Sequence, residues 1–364
     1  MKQKVFLGQH ALYSSLGTTE ETLNSLIDGK SGIVSGPLFH LPVSSAPFPD
    51  LRFRSLEYAI GNLWSSIDQG SLDLASTVFI YCAAKGDVRA IDNGSSGTDY
   101  PSPLLSLQAQ QIIQQLGIKP ARTISISNAC ASGAAGVEIA KEYLEQGMFS
   151  SAILFGFDSI SEFVATGFHA LGALSPKPAR PFDSARNGLT LGEGVALAIL
   201  HTNPDQQYDA VVVGAGSSND ANHRTGPSRT GDGLYRAMLT AAKDASDQQY
   251  SIGAVKCHGT ATAYNDAMEA KAIKSFFNDK IPPCFSLKGA LGHTSGAGSL
   301  MEFLIAAHLL KLRIAPPTTG FYNHGVDEPV PISSSKQTIT GDSMLCLSAG
   351  FGGLNSAVII KDIV

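Results

Sequence analysis

Two short stretches echo one another and constrain the fold more than any other feature. In the first half, NACASGAAG (128–136) follows the β-rich run TISIS (123–127) and leads into the helical pattern GVEIAKEYLEQG (136–147). In the second half, ALGHTSGAGS (290–299) precedes the helical pattern LMEFLIAAHLLK (300–311). Both contain Ser-Gly-Ala, at 132–134 and 295–297, and Cys130 and His293 each stand two residues before it. A strand-like run, a small-residue turn and an apolar helix, occurring twice, predict a duplicated unit that brings one chemical side chain from each half to a shared interface.

The rest of the chain fits two related halves. Strand-like runs at 78–84, 123–127, 151–157, 195–200, 210–216, 344–350 and 356–361 alternate with helical patterns at 19–29, 106–117, 136–147, 233–245 and 300–311, which predicts an α/β fold. The polar, turn-rich segment HTNPDQQYDA (201–210) divides the chain near residue 205. The expected units are residues 1–205, with the cysteine, and 206–364, with the histidines; without a long linker the two share a core.

Composition narrows the function. A net charge of −5 gives no global basic field, so nucleic acid is not expected as a partner. Five irregularly spaced cysteines argue against a disulfide framework and a zinc site. No apolar run is long enough for a membrane span, and the start MKQKVFLGQHALYSS lacks a full signal-peptide core. The expectation is a cytoplasmic protein.

Four stretches carry possible chemistry. Cys130, between a strand and a helix start, is placed where the helix dipole and free N–H groups favour a thiolate, and its small neighbours Ala129, Ala131, Ser132 and Gly133 leave room for a carbonyl. The alternative is a buried structural cysteine. In VKCHGTATAYNDAMEAKAI (255–273), His258 ends a strand-like run ahead of Thr260, Thr262 and a helix bearing Asp266 and Glu269. In FSLKGALGHTSGAGS (285–299), Lys288 and His293 lie five apart in a glycine-rich turn; a charged lysine near the two histidines would disfavour their protonation, and the alternative is a solvated loop lysine. In SAGFGGLNSAVII (348–360), Phe351 sits among glycines as an apolar plug or a hairpin residue.

Taken in order, these stretches closely resemble the elongating β-ketoacyl-acyl carrier protein synthases of the thiolase superfamily. The resemblance runs almost end to end, through LGTTEETLNSLIDGKSGI (16–33), ARPFDSARNGLTLGEGVALAIL (179–200) and KLRIAPPTTG (311–320). It implies a five-layered αβαβα fold of two duplicated halves, and a homodimer or a heterodimer with a related synthase subunit. It assigns Cys130 as nucleophile, His258 and His293 as catalytic histidines, Lys288 as supporting lysine and Glu269 as its acidic neighbour. Thr260 and Thr262 would hydrogen-bond the pantetheine arm. Phe351 would be the gate, its N–H and that of Cys130 forming the oxyanion hole.

No cofactor or metal is implied, because the substrates ride on the phosphopantetheine of an acyl carrier protein. The implied reaction is a decarboxylative Claisen condensation with malonyl-acyl carrier protein, in fatty acid or polyene/polyketide-type elongation. The alternative is a non-catalytic partner subunit that sets chain length; the intact Cys130, His258 and His293 weigh against it, and Lys288 and the gate weigh against a cysteine hydrolase. Residues 33–105 are reduced relative to the family, and Ala349 stands where many relatives carry phenylalanine, which implies a wider pocket mouth and a bulky primer. Lys177, Arg180 and Arg186 are candidate rim residues for carrier docking.

Overall fold

The structure is a computed structural model that describes residues 2–69, 72–86, 88 and 104–363. Most of the reduced stretch AAKGDVRAIDNGSSG (83–97) lies outside the described residues. Eleven strands among those described form one sheet: β1 Phe6–Ser14, β2 Gly17–Thr18, β3 Thr77–Cys82, β4 Arg122–Ile126, β5 Ser151–Asp158, β6 Gly194–His201, β7 Ala210–Asn219, β8 Ile252–Lys256, β9 Cys284–Phe285, β10 Ser343–Gly350 and β11 Leu354–Lys361. The α-helices among the described residues are α1 Thr19–Ile27, α2 Leu56–Ser65, α3 Leu105–Gln115, α4 Ser132–Glu145, α5 Glu162–Ala170, α6 Asp232–Asp244, α7 Ala263–Phe277, α8 Lys288–Leu291 and α9 Ser295–Lys311.

The sheet runs β9-β8-β10-β11-β7-β1-β6-β5-β3-β4, with β2 beside β1. Its two ends are built alike. β3 pairs in parallel with β4 and β5, then β5–β6 and β6–β1 are antiparallel. Likewise β8 pairs in parallel with β9 and β10, then β10–β11 and β11–β7 are antiparallel. The order β1-α2-β3-α3-β4-α4-β5-β6 therefore recurs as β7-α6-β8-α7-β9-α9-β10-β11, the duplication that the Ser-Gly-Ala echo predicted.

Strand alternation sorts the side chains into layers. Val78, Ile80 and Cys82 of β3 face the central core with Ala254, Met344 and Val358 of the other half, around α4 and α9. Phe79 and Tyr81 face outward onto α2 and α3. Leu345, Leu347, Ala357 and Ile359 face outward onto α6 and α7. The result is helices, sheet half, central helices, sheet half, helices: the five-layered thiolase-like fold. The two halves share a core, as expected. No helix among the described residues is long and apolar enough to cross a membrane.

β1 was not legible as a strand, because Gln9 and His10 interrupt its apolar run. The structure absorbs them at a register shift between Leu7 and His10, and His10 Nε2 lies 2.8 Å from His308 Nε2 of α9. β1 is also the strand that joins the halves, pairing with β6 on one side and with the start of β7 on the other.

The central helices cross at their small residues. A Cβ on Gly133 would stand 2.2 Å from the Leu300 backbone nitrogen, and one on Gly296 would stand 2.0 Å from the Ala84 nitrogen. The Ala134 N–H, a free donor of the first turn of α4, is taken up by Ser299 Oγ of α9 at 3.1 Å. Gly133→Ala is therefore expected to cost about 1–3 kcal/mol by forcing α4 and α9 apart. Gly167→Ala, at an open position of α5, should be neutral or slightly stabilising. Denaturation midpoints of the two variants check this contrast.

Candidate active site

The crossing of α4 and α9 sets the site. Cys130 lies in a short 3-10 turn, Ala129–Ala131, that leads into α4, with Ala129 held at φ 48°. Ser132 Oγ braces this turn, accepting from the Asn128 N–H at 2.9 Å and donating to the Ala129 carbonyl at 2.6 Å. His293 occupies the equivalent place before α9, its N–H donating to the Thr190 carbonyl at 2.7 Å. The helices thus bring the two echo residues face to face: His293 Nε2 is 3.0 Å from Cys130 Sγ. The His258 ring lies 5.5 Å from that of His293 and nearly perpendicular to it, at 86°. Cys130, His258 and His293 are all buried.

These three residues line a cavity of about 400 Å³ together with Thr260, Thr262, Ala349 and Phe351. The Oγ atoms of Thr260 and Thr262 are 3.0 Å apart. Phe351 belongs to the tight loop between β10 and β11, so it is at once a hairpin residue and a cavity residue. Its ring packs against Phe168 of α5, with centroids 5.4 Å apart. A Cβ on Gly350 would come within 3.2 Å of the Cys130 nitrogen, which shows how closely this loop rides over the cysteine. The backbone N–H groups of Phe351 and Cys130 both act on the Cys130 sulfur and favour its anion.

Three expectations are corrected. First, Cys130 is not a resting thiolate. Burial pushes its pKa up to about 11, outweighing Lys288 and the two N–H groups. Burial, with the Lys288 charge, pushes His293 down to about 3, and burial with Lys288 likewise holds His258 well below the usual histidine range. The resting pair is a neutral thiol beside a neutral imidazole. Second, the small neighbours of Cys130 are not mainly clearance for a substrate. Ala131 and Ser132 are fully buried, and Gly133 meets the Leu300 backbone. Ala131, Ser132 and Gly133 are small where two helices cross, whereas the half-buried Ala129 stands against Gly350 at the end of β10.

Third, Glu269 is an acidic neighbour whose charge favours the Lys288 ammonium, but the carboxylate that pairs with Lys288 is Glu302 of α9. Lys288 Nζ lies 2.6 Å from Glu302 Oε1, and Lys256 Nζ lies 2.7 Å from Glu302 Oε2. Glu269 instead accepts the backbone N–H groups of His258, at 2.5 Å, and Gly259, at 2.8 Å, and so fixes the loop that carries His258. Burial pushes its carboxyl up to about 7, against those two donors. Glu302 and Lys256 escaped the sequence reading, although each leaves a trace. Glu302 is the lone acid in the apolar run LMEFLIAAHLLK, and Lys256 is a cation in a buried strand.

Of the rim candidates, Arg180 pairs with Asp183 at 2.9 Å and lies over the Tyr322 ring, while Arg186 donates to the carbonyls of Asp183 and Gly325. Both hold loops of the chain together. Lys177 is exposed.

Comparison with known proteins decides the family. Residues 85–206 match the β-ketoacyl synthase N-terminal domain and residues 209–323 match the β-ketoacyl synthase C-terminal domain. A 3-oxoacyl-acyl carrier protein synthase 2 of Vibrio cholerae is 31% identical over 72% of this chain and 67% of its own length. The chain belongs to the β-ketoacyl synthase family. The fold of this β-ketoacyl synthase family member is shared along its whole length with the ishigamide ketosynthase/chain length factor (TM-score 0.89, 23% identity, 100% of both chains). It is shared equally with a type II polyketide ketosynthase solved with its acyl-carrier protein (TM-score 0.88, 20% identity, 100% of both chains).

Proposed function

We propose that this protein is a condensing enzyme that joins an acyl group to a malonyl unit, both delivered as thioesters on acyl carrier proteins. The observation that carries the reading is the 3.0 Å contact between Cys130 Sγ and His293 Nε2, with His258 edge-on beside it in the same cavity. The chemistry then follows from the residue types.

In the first half-reaction, the Cys130 sulfur attacks the acyl thioester carbonyl. A carbon–sulfur bond forms to Cys130, and the bond to the pantetheine sulfur breaks. Because thiol and imidazole are both neutral at rest, the proton leaves sulfur only as that bond forms. His293 Nε2 is placed to take it and pass it to the departing thiolate. His293 Nδ1 has no protein partner among the described residues, so neither tautomer is locked and Nε2 can accept here and donate later. The N–H groups of Cys130 and Phe351 hold the tetrahedral oxyanion.

In the second half-reaction, the malonyl carbon–carbon bond breaks and CO2 leaves. The electron pair passes to the thioester oxygen as an enolate, held by Nε2–H donors of His258 and His293. The carbanion attacks the acyl-Cys130 carbonyl and expels the Cys130 sulfur, which takes up a proton from solvent, by way of His293, to restore the resting thiol; the product is a 3-oxoacyl thioester two carbons longer. Thr260 and Thr262 are the proposed hydrogen-bond partners of the pantetheine arm. The acyl carrier protein and a second synthase subunit, identical or related, are the proposed partners, in line with what the two structural neighbours contain.

The test is to incubate the protein, with any partner subunit, with acyl- and malonyl-carrier protein. A 3-oxoacyl product is expected; CO2 release and Cys130 acylation both absent would leave only the chain-length-partner reading. Specificity is checked separately. Ala349 lines the cavity beside Phe351, and we propose that its small size admits a bulky primer. Ala349→Phe should lower turnover of bulky primers relative to short ones by about tenfold. Unchanged selectivity would remove that role from Ala349.

A further inference from the structure

Within electrostatic reach of the two histidines lies a buried trio in which one carboxylate serves two ammonium groups. Glu302 gives Oε1 to Lys288 and Oε2 to Lys256, and all three side chains are at most 2% exposed. Lys256 has one further acceptor, the Leu347 carbonyl at 2.8 Å. Lys288 alone would neutralise Glu302. A second buried ammonium adds the cost of its own desolvation, and an apolar side chain of similar length would fill the same space. Lys256 therefore needs an explanation beyond packing.

The charges that face it supply one. Lys256 meets Glu302 from α9, Lys288 from α8, Cys346 from β10 and Glu269 from α7, and it is the last residue of β8, two before His258 in the loop that follows. Burial pushes Cys346 up to about 12, so this thiol is neutral. Burial pushes Glu269 up to about 7, so it is partly ionised near neutrality. With Lys256 present, the two lysines and two glutamates carry between zero and one net positive charge. Without Lys256, the same set carries between zero and one net negative charge. Both reactive species of the proposed cycle, the Cys130 thiolate and the malonyl enolate, are anions, and the charges of this set reach their site: Lys288 acts on the Cys130 sulfur and on both histidines, and Lys256 acts on His258.

We propose that Lys256 is a positioning residue of the condensing site: by sharing Glu302 with Lys288, it keeps the charge that acts on Cys130, His258 and His293 from becoming negative. The inference rests on the condensing-enzyme reading for its role in the cycle, while its electrostatic content can be measured independently of turnover.

The test follows alkylation of Cys130 by iodoacetamide at about pH 8.5, near the ordinary thiol value, with mass spectrometry to locate the adduct. Lys256→Met should slow alkylation by about threefold or more, because Glu302 then cancels the Lys288 charge that favours the anion of the sulfur. Lys256→Arg should stay close to wild type. The double variant Lys256→Met with Glu302→Gln leaves Lys288 as the single charge of the trio, and so should recover toward wild type. Thermal melts establish that each variant is folded; if Lys256→Met is not, Lys256→Gln, which keeps a donor for the Leu347 carbonyl, takes its place. Equal rates in wild type and the neutral variant would overturn the proposal. So would a double variant slower than the single one, which is the pattern of a merely structural lysine.

Release of CO2 from a malonyl thioester by the wild-type protein separates the two levels. If alkylation follows the charge series but wild type releases no CO2, the condensing reading falls and the electrostatic role stands. If wild type decarboxylates and the charge series is flat, the role of Lys256 falls and the reading stands.

Discussion

Replacing Cys130 with alanine should lower condensation by about a thousandfold or more, while malonyl decarboxylation should fall far less. The split follows from the geometry. Acyl transfer needs the sulfur, whereas decarboxylation needs only the two imidazoles, and the Cys130 side chain is not among the groups proposed to hold the enolate. His293→Ala should give a different pattern, because Nε2 is shared: it faces the thiol at 3.0 Å and stands beside His258. Both self-acylation and CO2 release should then fall, each by about a hundredfold, the usual size of an acid–base or oxyanion contribution. Separate assays of self-acylation, CO2 release and product check the pattern. Equal losses in all three for Cys130→Ala would mean that the cysteine acts by packing.

The second large effect is on stability. Glu302→Ala removes the one carboxylate that two buried ammonium groups share. Burial opposes the charge on Glu302, yet Lys256 and Lys288 together hold its carboxyl below the usual range. Breaking such an arrangement leaves uncompensated charge in the core, and a loss of about 3–5 kcal/mol is expected. Glu302→Gln keeps an acceptor for one lysine and should lose less. Thermal midpoints of the two variants give the comparison. A Glu302→Ala protein as stable as wild type would show that the lysines find other acceptors.

Much of the fold and site was legible because the relevant signals are local. Strand alternation and the Ser-Gly-Ala echo identify elements whose partners need not be known, and the echo correctly placed Cys130 and His293 as counterparts. What escaped depends on tertiary contact. β1 was hidden by Gln9 and His10, polar residues that only the register shift and His308 accommodate. Glu269 was adjacent to the right loop, but its carboxylate turns to backbone N–H groups, whereas Glu302, distant from Lys288 in the motif, reaches it from the facing helix. Gly133 suggests clearance for a ligand in the sequence, but its neighbour is the Leu300 backbone. The helix-start argument for a thiolate at Cys130 was outweighed by burial, a quantity that sequence does not display.

The central claim is that Cys130 carries the acyl chain. Its most direct test is intact-protein and peptide mass spectrometry after exposure to a panel of acyl-carrier proteins, with malonyl-carrier protein added afterwards. The expected result is an acyl adduct on the peptide containing Cys130 that disappears on malonyl addition, as a product two carbons longer appears on the carrier. An adduct on another residue, or an adduct on Cys130 that malonyl-carrier protein leaves in place, would contradict it.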